Sequence, residues 1–289
     1  MKHSQTPGKA NPPAGQELKN LVNEMLHEIH YPAITTVAGF ESLSIGESFS
    51  LFFAELSTSI DKRLSLLAKS IHTVNFDQTR LRLKKENILY VKNTTVPMLT
   101  PEGYLPGMGS MMLYTKNVAL GVYIVSSLKT EASRLYDWLK DIVSKGRMGQ
   151  EFRWSIGDFG QALTKAENFI KGLPDNGRTT TQNLGVVYSS FEEMWDVIHT
   201  YNVAVKNLGS RDAEMISKII TDVFEIGQLL VKKIKANDLI LTPEAIAEVE
   251  GIVNRFRDFT NVAGVMMVLL NELTAVFQAQ VKSLDALKY

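Results

Sequence analysis

The chain contains no cysteine among its 289 residues. This absence excludes disulfide bonds, thiolate metal ligands, iron–sulfur clusters and cysteine nucleophiles. His27 and His30 are spaced i, i+3 on a predicted helix, but this is not the histidine spacing of zinc proteases, and we identify no third ligand. The sequence therefore predicts neither a metal site nor a cofactor.

An excess of charge of one sign is also absent, because 31 basic side chains balance 31 acidic ones. A neutral chain lacks the overall basic field that would concentrate it on nucleic acid or on anionic lipid. Any contact with such partners must therefore come from a local patch.

Long hydrophobic runs are scarce. Residues Met1 to Gly15 are polar, without the apolar core of a secretory signal, and we expect residues 1–15 to form a flexible tail. The longest strongly apolar run, Val262 to Leu270, is well short of the ~20 residues that a membrane-spanning helix needs. We expect no membrane span, and a location in the cytoplasm or within a particle assembled inside the cell.

Proline is rare, and its nine positions leave long proline-free tracts that carry apolar stripes of helical period. This pattern predicts an all-α fold, an elongated bundle of about six or seven long helices. Helices are predicted over about Ala14 to His30, Ser44 to Val74, Ser110 to Lys145, Ser155 to Gly172, Ser190 to Gly209 and Ser210 to Ile234, and from Pro243 onward.

The strongest pattern lies between Glu244 and Tyr289, where apolar or neutral residues recur at alternating steps of four and three. Such a 3.5-residue period is typical of a coiled-coil-like helix that lies along other helices. A second apolar file makes this helix broad enough to contact its own chain on one side and a second copy on the other. The file, which we take as a candidate interface, consists of Ile252, Phe259, Met266 and Leu273.

Two segments interrupt the helical pattern. Residues 79–92 are consistent with a small β-hairpin insertion or with a continued helix. The stretch from Pro97 to Gly109 is rich in proline and glycine and is predicted to be an irregular loop. It divides an N-terminal helical segment, residues 16–96, from a main bundle, residues 110–289. Beside the loop, Met108, Met111 and Met112 form a second candidate interface.

No catalytic constellation stands out. Asp158-Phe159-Gly160 matches a kinase tripeptide without the remaining kinase motifs, and Gly107-Met108-Gly109 lacks the third glycine of a nucleotide-binding turn. The sequence therefore predicts a protein that is not an enzyme. A site at the Pro97–Gly109 loop is the less favoured enzymatic alternative.

A local basic segment gives a different alternative, a binding module for nucleic acid or an acidic partner. Its candidate contacts are Arg80, Arg82, Lys84, Lys85 and Lys92.

The leading hypothesis is a structural or assembly protein that acts through helix–helix contacts. We expect a self-associating subunit of a larger assembly, of which a virion component is one example, with itself or another helical protein as partner.

Overall fold

The computed structural model describes residues 70–89, 96–101, 104, 111–155, 158–173, 180–206, 208 and 210–287. The two helices predicted before residue 70 and the pair His27 and His30 lie outside the described residues, as do Met108 and Lys92.

An all-α bundle with a small pair of strands is confirmed. The described residues contain seven helices and two strands. These are α1 (Asp77–Lys85), β1 (Pro97–Thr100), α2 (Met111–Lys145), α3 (Asp158–Lys171), β2 (Thr180–Asn183), α4 (Leu184–Val187), α5 (Phe191–Val205), α6 (Ser210–Lys235) and α7 (Pro243–Asp285).

Helix α2 lies at the centre of the bundle and packs against α3, α5, α6 and α7. Its fully buried residues, such as Leu128, Leu135 and Leu139, recur at helical spacing. Residues Ile71 to Leu83 join the same hydrophobic core as the helices that follow residue 110. The core is therefore continuous across the segments on either side of the Pro97–Gly109 loop.

Helix α7 is the second main element of the core. Every residue from Val262 to Leu270 is buried, so this part of α7 is covered on all sides. Among the described residues, α7 is also the one helix long and apolar enough to meet the criteria for crossing a membrane. Because 72% of its apolar window is buried inside the structure, packing within the chain accounts for that composition.

Local signals fix several helix ends as predicted. The Ser190 side chain accepts a hydrogen bond from the Glu193 amide, and Thr242 accepts one from Ala245 directly before Pro243. Gly146, with φ of +68°, follows the last residue of α2. The helix predicted from Ser155 is described from Asp158 onward, and the Ser155 hydroxyl bonds to Glu131.

The hairpin considered for residues 79–92 is not formed, because Asp77–Lys85 is helical. In a strand, Leu81 and Leu83 would share one face. In α1 they point apart, so Leu83 is buried while Leu81 is 67% exposed. Asn87, with φ of +51°, ends the helix, and the Ile88 amide donates to the Leu83 carbonyl as in a Schellman motif.

The strands lie outside the predicted helices. Pro97–Thr100 pairs antiparallel with Thr180–Asn183, so the prediction of an entirely irregular Pro97–Gly109 segment is wrong for its first four residues. Buried Met98 and Thr100 explain this pairing, because they anchor β1 in the core and its strand contacts α7. The Thr100 hydroxyl donates to the Thr180 carbonyl at 3.0 Å.

Candidate functional site

The apolar file predicted as an interface on α7 faces the chain's own core. Phe259, Met266 and Leu273 are buried, and Ile252 is half-buried. The breadth of the stripe therefore reflects two sides covered by the same chain, and the file is not a free surface in this structure. The interpretation of these residues as a docking face for a second copy is corrected accordingly.

The methionines beside the loop are also drawn inward. Met111 is fully buried, while Met112 is half-buried and its Sδ lies 3.6 Å from the Thr200 hydroxyl on α5. Both side chains pack at the start of α2, so neither presents an exposed interface of the kind predicted.

The basic segment is largely engaged within the molecule. Arg82 donates to the Leu284 carbonyl at 2.6 Å and to the Leu287 carbonyl at 3.3 Å, and it pairs with Glu86 at 2.6 Å. Leu284 lies in the last turn of α7, and Leu287 lies two residues beyond the end of the helix. Arg82 therefore fastens α1 to the end of α7.

Arg80 is engaged as well, because its guanidinium lies 5.0 Å from the ring centroid of Trp195. Trp195 in turn donates to the Asp77 carboxylate at 2.7 Å and stacks on His199. Of the predicted basic contacts in the described residues, Lys84 and Lys85 remain as exposed cations at the end of α1. Two lysines alone provide a weak phosphate-binding patch. The hypothesis of a binding module for nucleic acid or an acidic partner is therefore less well supported, because Arg80 and Arg82 contact other parts of the same chain.

A surface that sequence reasoning missed lies on α6. Met215 is 39% exposed and Leu229 is 42% exposed. Both residues belong to a row of side chains along α6 with alternating steps of four and three residues. This file contains Met215, Ile219, Asp222, Ile226, Leu229 and Lys233.

We call this file the α6 edge. It runs beside α2, because Lys129 approaches the Met215 Sδ at 3.6 Å and Lys233 donates to the Val143 carbonyl at 2.9 Å. The neighbouring face of α6 supplies Ile216, Ile220 and Val223 to the core, and Ile226 of the edge itself is buried. The apolar stripe of α6 is therefore wider than the face that α2 covers.

A buried carboxylate on α2 fixes the connection to α3. Glu131 is buried and accepts hydrogen bonds from both the amide and the hydroxyl of Ser155. Further along α2, Arg134 donates to the Arg153 carbonyl at 2.5 Å and Trp138 donates to the Gln150 carbonyl at 3.0 Å. The segment from Gln150 to Ser155 is therefore bound along one face of α2, and we call this segment the strap.

Aromatic contacts reinforce the strap. The rings of Trp138, Phe152, Trp154 and Phe259 follow one another with centroid separations of 5.4, 4.7 and 4.8 Å. Burial is the main cause that raises the pKa of Glu131, while the Ser155 amide and Arg134 act in the opposite direction. Because the Ser155 amide and hydroxyl bind the Glu131 carboxylate, we interpret Glu131 as a residue that stabilises the fold.

Residues that could hold a metal do not converge in the described part of the chain, where no group of three or more histidine or acidic side chains is found. No protein-family model, curated protein or solved structure matches the chain. The surfaces must therefore be interpreted from their own chemistry.

Proposed function

We propose that the protein is a non-enzymatic assembly protein that self-associates through helix–helix contacts, with the α6 edge as the contact surface. The observation that carries this proposal is the file at coiled-coil spacing on α6, in which two apolar side chains, Met215 and Leu229, are partly exposed. Met215 and Leu229 leave about two-fifths of their surface uncovered, on either side of the half-buried Ile219.

The energetics support this use of the surface. Full burial of a methionine or leucine side chain stabilises by roughly 1.5–3 kcal/mol, so covering the exposed part of each contributes about 1 kcal/mol. One such edge gives a weak contact. We therefore expect self-association through this edge to be reversible and to depend on protein concentration.

Charged substitutions on the α6 edge provide the test. In the full chain, Met215→Lys with Leu229→Lys places two ammonium groups where a second helix must pack, while their aliphatic stems preserve the contact with α2. We expect the purified double variant to have a lower mass by light scattering than the unchanged chain at the same concentration, with an unchanged helical circular dichroism spectrum.

A matched control uses Val203→Lys on α5, a 56% exposed apolar residue outside the α6 edge. This variant should retain the mass of the unchanged chain. Equal masses for all three proteins would contradict the assignment of the contact to α6.

A further inference from the structure

A short extended segment before α1 is held on one side by α5. The Asn202 side chain accepts a hydrogen bond from the Val74 amide and donates one to the Val74 carbonyl, each at 2.8 Å. The Tyr201 hydroxyl donates to the His72 carbonyl at 3.3 Å. An amide and a carbonyl of one residue point to the same side only when the backbone is extended, so Val74 has strand-like geometry.

The opposite edge of this segment is not paired with any described residue. In an extended chain the neighbours of Val74 direct their amide and carbonyl groups away from Asn202. Thr73 and Asn75 are exposed, and no described residue forms a hydrogen bond with either of them. Their backbone groups therefore remain available to a new strand.

This open edge faces a shallow groove of about 280 Å³ against the last turns of α7. Besides residues 73–75, the groove is lined by Gln278, Val281, Lys282 and Asp285. Val281 supplies a buried apolar surface, and Gln278 is fixed by a 2.5 Å contact between its Nε2 and the Nε2 of His72.

Of the two charged side chains in the groove, only Asp285 has an oppositely charged neighbour among the described residues. Asp285 lies 3.7 Å from Arg82, whereas Lys282 is exposed and pairs with no carboxylate in the described part of the chain. The groove thus combines a strand edge that no described residue pairs with, the apolar side chain of Val281 and the exposed ammonium group of Lys282.

We propose that this groove binds an extended, acidic peptide segment of a partner protein, which adds as a strand to residues 73–75 and places a carboxylate on Lys282. A helix is a poor occupant, because its backbone groups are satisfied internally. An extended peptide offers alternating amides and carbonyls for the open edge, as in other cases of strand addition. This binding site is separate from the α6 edge and does not depend on self-association.

The test uses the full chain and a fluorescein-labelled hexapeptide of alternating valine and glutamate, followed by fluorescence anisotropy. Two matched probes are a valine–lysine hexapeptide and a valine–glutamate hexapeptide with N-methylated amides. We expect only the unmodified acidic peptide to bind, because its two relatives lose the charge and the main-chain donors respectively. No binding of the acidic peptide at millimolar concentration, or equal binding of either relative, would overturn the proposal.

Two variants locate the site. Lys282→Glu should weaken binding roughly tenfold or more, because a charge-assisted bond becomes a repulsion. Asn75→Pro, which removes one amide donor from the open edge while retaining extended geometry at Val74, should also weaken it. The control Lys84→Glu makes the same change of charge outside the groove lining. It should leave the affinity within about twofold, because solvent screens the interaction between residue 84 and the carboxylates of the bound peptide. An equal loss with Lys84→Glu would show nonspecific charge attraction and would contradict the site.

Discussion

Gly121 on α2 lies directly against Met266 on α7. A Cβ atom at position 121 would approach the Met266 Cβ to 2.7 Å and the Leu270 side chain to 3.3 Å. The two main helices of the core therefore make a close contact at a residue without a side chain, and glycine is required there by packing rather than by backbone conformation.

Gly121→Ala should destabilise the fold. The gain in helix propensity is roughly 1 kcal/mol, but forcing apart two packed helices costs about 1–3 kcal/mol, so we expect a net loss of up to about 2 kcal/mol. Urea denaturation measures the change. Gly251→Ala on α7 is the matched control, because a Cβ there meets nothing within 4 Å and should stabilise by about 0.5–1 kcal/mol. Two changes of the same sign would contradict the close contact.

Arg82→Lys should loosen the end of α7. Lysine retains the charge, but its single ammonium group cannot reach the Leu284 and Leu287 carbonyls and Glu86 together, and we expect a loss of about 1–2 kcal/mol. Hydrogen exchange should accelerate at the amides of residues 284–287. Lys84→Ala, an exposed neighbour, should change stability by less than about 0.5 kcal/mol. Unchanged exchange in the arginine variant would rule out the clamp.

Glu131 should make stability depend on pH. Because burial raises the pKa of Glu131 above its usual 4.5, the folded state holds this proton more tightly than the unfolded state. The free energy of unfolding should therefore fall as pH rises from 4.5 through the raised pKa. In Glu131→Gln this contribution is absent, so the difference between the two proteins should grow from acid to neutral pH. Parallel profiles over this range would show that the carboxylate is not desolvated.

Tyr201 should make stability depend on pH in the alkaline range. Burial raises the pKa of Tyr201 to about 12, and its hydroxyl bonds to Thr274 on α7. The unfolded chain ionises near 10 while the folded chain remains protonated, so stability should decrease between pH 10 and about 12. Absorbance titration of the unchanged chain against Tyr201→Phe should show one phenol that ionises late. Tyr201→Phe should cost about 1–3 kcal/mol, because the partners of the hydroxyl stay buried.

The sequence predicts the helices well where local chemistry sets their ends. Ser190 with Glu193, Thr242 with Pro243, and Gly146 all act within a few residues of the boundary they define. The strands could not be predicted in this way. Thr100 and Thr180 lie far apart in the chain, and their pairing depends on burial of Met98 against the core.

The candidate sites were harder to predict, because an apolar stripe has the same pattern whether its own chain or a neighbour covers it. Phe259 and Met266 are covered by the chain itself, while Met215 on the weaker α6 pattern stays partly exposed. The carbonyls that engage Arg82 lie some 200 positions away, at Leu284 and Leu287. A local count of basic residues does not reveal this use of the arginine.

Self-association is the central claim, and the mass in solution tests it most directly. Light scattering on the purified full chain over a range of concentrations should give a mass that rises above the 32.3 kDa of one chain toward a multiple of it. A mass of 32.3 kDa that does not change with concentration would contradict the account.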